Sequence, residues 1–135
     1  MSSGDSATSE PSERLDQLAR QVIGAAIEVH RHHGPGFLET VYEEAMALEL
    51  RLRRIPFQRQ SPVRVAYKGH DVHEGKVDFL VADALIVGLK AVETLAPIHT
   101  AQVISYLKAT GLHLGLLVNF NVAALREGIR RVVLS

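Results

Sequence analysis

The chain has no cysteine, which excludes both disulfide frameworks and thiolate metal sites. It has no excess of either charge, since fifteen basic residues balance fifteen acidic ones. Nucleic-acid binders usually carry a basic surplus, because phosphate neutralisation supplies most of their non-specific affinity. Neutrality therefore counts against tight non-specific binding and leaves room only for a local patch. Long apolar runs are missing too: Phe79 to Leu89 is interrupted by Asp83 and too short to span a bilayer. The polar N-terminus lacks the basic-then-apolar order of a secretory signal, so a cytoplasmic protein with no membrane contact is expected.

What remains is a chain of 135 residues, 47% hydrophobic and 22% charged, the size and composition of one globular domain. Residues Met1 to Glu13 are Ser, Thr, Gly and Pro without an apolar anchor and read as a flexible tail. The domain is expected over residues 14–135. Leu15, Leu18, Val22, Ile23, Ala26 and Ile27 recur at helical spacing, which predicts a helix from Arg14 to about His32. Gly34-Pro35-Gly36 ends it. A second helix is expected from Leu38 to about Arg54, closed by Pro56.

Strand patterns follow at Val63 to Tyr67, Val72 to Val81 and Ala84 to Val92, the last rich in branched aliphatics. Pro97 opens a third helix, Ile98 to Thr110. A strand from Leu112 to Asn119, a helical turn at Ala123 to Glu127 and a strand from Ile129 to Leu134 complete the chain. The order α-α-β-β-β-α-β-β predicts an α/β fold, an antiparallel meander joined by a helical crossover into a mixed sheet flanked by helices.

Lys90 stands out within Leu85 to Val92, because an ammonium inside a core strand needs a counter-charge or an opening onto a cleft. Alternation puts Ile86, Gly88, Lys90 and Val92 on one face. Asp78 is similarly set among Val77, Phe79, Leu80 and Val81. Two readings of the pair stand: a chemical site, or a buried ion pair that only sets sheet register. Glu39, in the first turn of the second helix, is either a third polar group of that site or a partner of the helix dipole. Gln102 and Tyr106 are four apart on the third helix and project together, lining a polar cleft or packing as ordinary core. His30, His32 and His33 gather at a helix end, where histidine also meets free carbonyls, and the convergent geometry of a metal site is not implied.

Gly36, Glu39 and Tyr42 spell G-x-x-E-x-x-Y. Together with Glu43-Glu44-Ala45, the strand Leu85 to Val92, His99-x-x-Gln102-x-x-x-Tyr106 and Gly115-Leu116-Leu117-Val118-Asn119-Phe120-Asn121, this resembles the bacterial GxxExxY protein family, placed within the PD-(D/E)XK nuclease superfamily. The resemblance covers roughly Leu18 to Leu134. It implies a nuclease-like fold, Mg²⁺ or Mn²⁺ as cofactor and nucleic acid as partner. By position, Asp78 matches the metal-binding aspartate and Lys90 the lysine of the (D/E)-x-K element. Glu39 matches the glutamate of the early helix, and Gln102 and Tyr106 match a Q-x-x-x-Y element that assists the active site.

One position departs. The acid two residues before Lys90 is replaced by Gly88. Hydrolysis needs a cation to polarise the phosphate and lower the pKa of water, and hard cations need several oxygen ligands. Asp78, Glu39 and the Leu89 carbonyl remain as oxygen donors, with Glu74 a remote substitute on the Asp78 face if that strand is regular. Glu93 has the wrong parity. The expectation is therefore a nuclease fold with a degenerate metal site and weak or no cleavage. The alternative is a scaffold that self-associates as a homo-oligomer, using its C-terminal strand as an edge. A third reading is a phosphate-binding patch of Arg51, Arg53, Arg54 and Arg59, with Arg126, Arg130 and Arg131, against solvated arginines that merely offset a helix dipole.

Overall fold

The computed structural model describes residues 12–134. The flexible tail expected up to Glu13 lies, for residues 1–11, outside the described residues. Helix α1 spans Glu13–His33, and Ser12 caps it by accepting the Leu15 N–H. Helix α2 covers Glu39–Leu52, strand β1 Phe57–Tyr67, β2 His70–Val81 and β3 Leu85–Lys90. Helix α3 (Pro97–Thr110) leads to β4 (Leu114–Asn119), a 3-10 turn at Leu125–Gly128 and β5 (Ile129–Val133). No helix among the described residues is long and apolar enough to cross a membrane.

The five strands lie in the order β1-β2-β3-β4-β5. Only β3 and β4, joined through α3, are parallel; every other neighbouring pair is antiparallel. The expected mixed sheet is thus present. Strand alternation divides its core in two. Leu85, Val87 and Leu89 of β3, with Leu114, Leu116 and Val118 of β4, pack against α1 and α2 through Val22, Ala26, Met46 and Leu50. Ile86 and Leu117 face the opposite way, towards Val103 and Leu107 of α3.

Strand β1 begins six residues before the expected Val63. Its first half, Phe57-Gln58-Arg59-Gln60-Ser61-Pro62, is polar and contains a proline, so periodicity alone does not reveal it. Both strands of the β1–β2 hairpin change face partway along. Phe79 and Val81 belong to the core beneath α1 and α2, yet Val77, two residues earlier, packs on the α3 side. On β1, Phe57 and Val63 are divided in the same way. The pairing lapses between them at Gln60 and Asp78, while the register on either side is unchanged. Gln60 has φ of 47°, a left-handed conformation that costs an L-residue about 1–2 kcal/mol. The distal hairpin thereby curls over α3.

Helix α3 sits close on the sheet because two strand positions lack side chains. A Cβ at Gly115 would come within 2.6 Å of Val103 Cγ1, and one at Gly75 within 2.6 Å of the Tyr106 hydroxyl oxygen. Gly115→Ala should therefore cost about 1–3 kcal/mol through overpacking, measured by urea denaturation. Gly88→Ala, where the new methyl meets only Leu117 Cδ1 at 3.6 Å, should leave the urea midpoint nearly unchanged.

Candidate active site

A cleft of about 140 Å³ opens on the α3 side of the sheet. Gly88 and Lys90 of β3 contribute to its floor, Lys76 and Asp78 come from β2, Gln102 and Tyr106 from α3, and Glu39 from the first turn of α2. All five residues singled out in the sequence thus line one cavity. A larger open groove of about 590 Å³ along α1 has a single ionisable side chain in its lining, Arg14. The smaller cleft is where the chemistry is concentrated.

The G-x-x-E-x-x-Y motif acts as a staple. The buried Tyr42 hydroxyl donates to the Gly34 carbonyl and accepts the Phe37 N–H at 3.2 Å. It pins the turn between α1 and α2, in which Gly34 and Gly36 take φ of 66° and 108°. The Tyr42 ring stacks on Phe120, with centroids 4.5 Å apart and planes 7° apart. The Phe120 N–H in turn donates to the Lys90 carbonyl. Buried Asn119 clamps the chain just beyond Lys90, donating to Val92 O at 2.9 Å and accepting from Val92 N at 3.0 Å. The early helix and the two central strands are locked together this way, bringing Glu39 to Lys90.

Burial, and then the negative charge of Asp78, hold the Glu39 carboxyl above the usual carboxylate range; Lys90 offsets part of this and Glu43 adds to it. The charged neighbours place Glu39, Asp78 and Lys90 within one electrostatic neighbourhood.

The expected ion pair between Asp78 and Lys90 does not form. Asp78 Oδ2 accepts the Leu89 N–H at 2.7 Å, and Oδ1 accepts the Gln60 side-chain amide at 3.2 Å. The β2–β3 ladder ends at Phe79 and Val87, so the Asp78 carboxylate replaces a backbone acceptor one step beyond it. Among the described residues, neither Lys90 nor Lys76 has a carboxylate within 4.0 Å. Lys90 therefore satisfies the other condition for a lysine in a core strand: it opens onto a cleft.

The donor set does not fit a divalent cation. Among the described residues, no three Asp, Glu or His side chains converge to hold a metal. Gly88 supplies no oxygen from its side chain, which leaves Glu39 and Asp78 as the two carboxylates of the cleft lining among the described residues. Asp78 engages the amide of Leu89, the residue whose carbonyl was expected as a ligand. Glu74 is exposed and absent from the cleft lining, because the face change at Asp78 breaks the regular alternation that would align the two. Glu93 is exposed beyond the end of β3 and also outside the lining.

The histidines serve structure. His30 Nε2–H donates to Val122 O at 2.8 Å in the core, His32 meets Glu28, and His33 packs beside Phe37 at 5.2 Å. Most of the arginine patch is already engaged: Arg53 with Glu49, Arg59 with Glu43 and Glu44, Arg131 with Asp16, and Arg51 over the Phe57 ring. Three residues near the site escaped the sequence reading. Gln60 bridges Asp78 and Glu43, Glu43 anchors Gln60 and Arg59, and Lys76 lines the cleft. The one available signal was the polar run Gln58 to Ser61 before Pro62, too irregular to assign to a strand.

Glu39→Gln gives a test of the electrostatics. A carboxyl whose pKa is raised by folding opposes folding once ionised, and the penalty vanishes below its unfolded pKa. Loss of the favourable helix-dipole contact, about 0.3–1 kcal/mol at most, acts in the other direction. The substitution should raise the melting temperature at pH 7, with the gain disappearing as pH falls below the ordinary glutamate value of 4.5. A gain that persists at acid pH would assign the effect to packing instead.

No curated protein and no solved structure matches the chain. The sequence model of the PD-(D/E)XK nuclease superfamily matches residues 16–132, from the first turn of α1 into β5. That span contains the mixed sheet, its flanking helices and every residue of the cleft, and the chain belongs to the PD-(D/E)XK nuclease superfamily.

Proposed function

We propose that this is a nuclease-fold protein with a degenerate metal site, which engages nucleic acid at its cleft but hydrolyses phosphodiesters weakly or not at all. The observation that carries this is Gly88. Continuing the β2–β3 register places Gly88 opposite Asp78, at the centre of the site, and only Leu117 stands near the missing Cβ. Glycine is required there by neither packing nor backbone conformation. A bound cation would polarise the phosphate and lower the pKa of the attacking water. Without a third carboxylate the residues left are those that bind and orient: the Lys90 ammonium, the Gln102 amide and the Tyr106 hydroxyl. The Tyr42 hydroxyl, pinning the turn that precedes Glu39, supports the resemblance to the GxxExxY family within the superfamily.

Self-association through β5 is the second reading, and it rests on that strand's place at the edge of the sheet. The edge carries exposed Arg130 and Arg131 side by side, a charge pattern that discourages strand addition. The nuclease-fold reading stands ahead of it for that reason.

A cleavage assay with Mg²⁺ or Mn²⁺ on single- and double-stranded DNA and RNA, comparing wild type with Gly88→Glu, tests the proposal. Cleavage by the wild type should be slight or absent, and Gly88→Glu should cut at a rate at least tenfold above the wild type or above the detection limit of the assay. Metal-dependent cleavage by the wild type, lost in Lys90→Ala, would show that another group completes the site.

A further inference from the structure

Three strand glycines face the α3 side of the sheet, and α3 fills the space above only two of them. The Tyr106 hydroxyl oxygen lies 2.6 Å from where a Cβ would stand on Gly75, and Val103 Cγ1 lies 2.6 Å from the same point on Gly115. Above Gly88, among the described residues, only Leu117 Cδ1 comes within 4 Å, at 3.6 Å. A glycine inside a strand marks a place where another group approaches the backbone closely. At Gly88 no side chain of α3 does so. The surroundings are graded in polarity. Val77, Ile86, Val103 and Leu117 are all buried and form the deep part of the cleft. Half-buried Glu39 and Tyr106 and exposed Gln102 form the part nearer solvent. At about 140 Å³ the cleft has room for on the order of ten water-sized groups, which is the size of one heterocyclic base and too small for a base pair.

We infer that the cleft receives one unpaired nucleobase, laid against Gly88 with its edge towards Gln102 and Tyr106. This deepens the proposed function and rests on it. A base is a flat ring with apolar faces and a polar edge, and an apolar floor with a few polar groups at its rim is the matching surface. The Gln102 amide offers a donor and an acceptor to that edge, and so does the Tyr106 hydroxyl. A carboxylate at position 88 would stand on the floor and set a charge against the ring. Glycine removes both obstacles, which gives the lost acid a positive counterpart. Bases stacked within a duplex cannot enter unless they are first extruded. The ligand is therefore a single strand, or a base already unpaired.

The test is fluorescence anisotropy in EDTA with two labelled single strands of equal length, one a mixed-sequence DNA and the other abasic, so that both carry the same phosphates. The wild type should bind the base-bearing strand about tenfold more tightly than the abasic one. Gly88→Leu, checked for folding by its melting temperature, should bind the two strands alike. Gly88→Ala, whose methyl has room beside Leu117, should lose part of the preference, and it decides the matter if leucine prevents folding. Gln102→Met keeps the length of the side chain without its amide and should also lower the preference. Calorimetric titration with free nucleosides separates the two sources of a base. Nucleoside binding by the wild type, absent in Gly88→Leu, with no binding of either strand, would keep the pocket, assign it to a free nucleoside and remove the strand from the proposed function. A wild type that binds both strands alike, or a folded Gly88→Leu that keeps the full preference, overturns this inference and leaves the nuclease-fold reading in place. No binding of strand or nucleoside removes both.

Discussion

The hydrogen bond from the Leu89 amide to Asp78 is the contact on which the cleft depends. The sheet forks there: β2 pairs with β3 only through Phe79, Leu80 and Val81, then leaves with β1 to curl over α3. Without Asp78, the Leu89 N–H would stand unpaired at the mouth of the fork, a loss of about 1–3 kcal/mol. Gln60 holds the other oxygen from β1, and Glu43 holds Gln60 from α2. A single carboxylate thus ties two strands and a helix at the point where the floor of the cleft begins.

The other half of the cleft is set by rigid aromatic packing. Tyr42 reaches back to Gly34 and across to Phe120, and Phe120 holds Lys90 through the backbone. The turn that aims Glu39 and the strand that carries Lys90 are consequently parts of one packed unit. Helix α3 completes the enclosure by lying close against Gly75 and Gly115, so that Tyr106 is seated on β2. These contacts shape a binding site irrespective of cleavage.

Much of the fold was legible because its elements obey simple periods. The apolar stripe from Leu15 to Ile27 specified α1, the branched run from Leu85 specified a two-sided buried strand, and the glycines and prolines marked the breaks. The first half of β1 was not legible, since Gln58 to Ser61 neither alternate nor repeat at helical spacing. The site residues could be picked out because polar groups in apolar strands violate the expected pattern. Their partners could not. Asp78 and Lys90 looked like a natural ion pair, but a backbone amide lies nearer to the carboxylate and competes successfully for it.

By itself the sequence determined the element order, the residues carrying charge into the core, and the absence of a carboxylate two positions before Lys90. Folding cannot supply an oxygen that the chain does not encode. Which groups face the cleft was decided only by the tertiary structure: Asp78 comes to the α3 side beside Gly88 and Lys90, Glu74 stays outside, and the Asp78 carboxylate also serves the framework. The reason is the face change at Gln60 and Asp78, residues 18 apart in the chain that meet through their side chains. Alternation within one strand cannot reveal a switch that its partner strand makes with it.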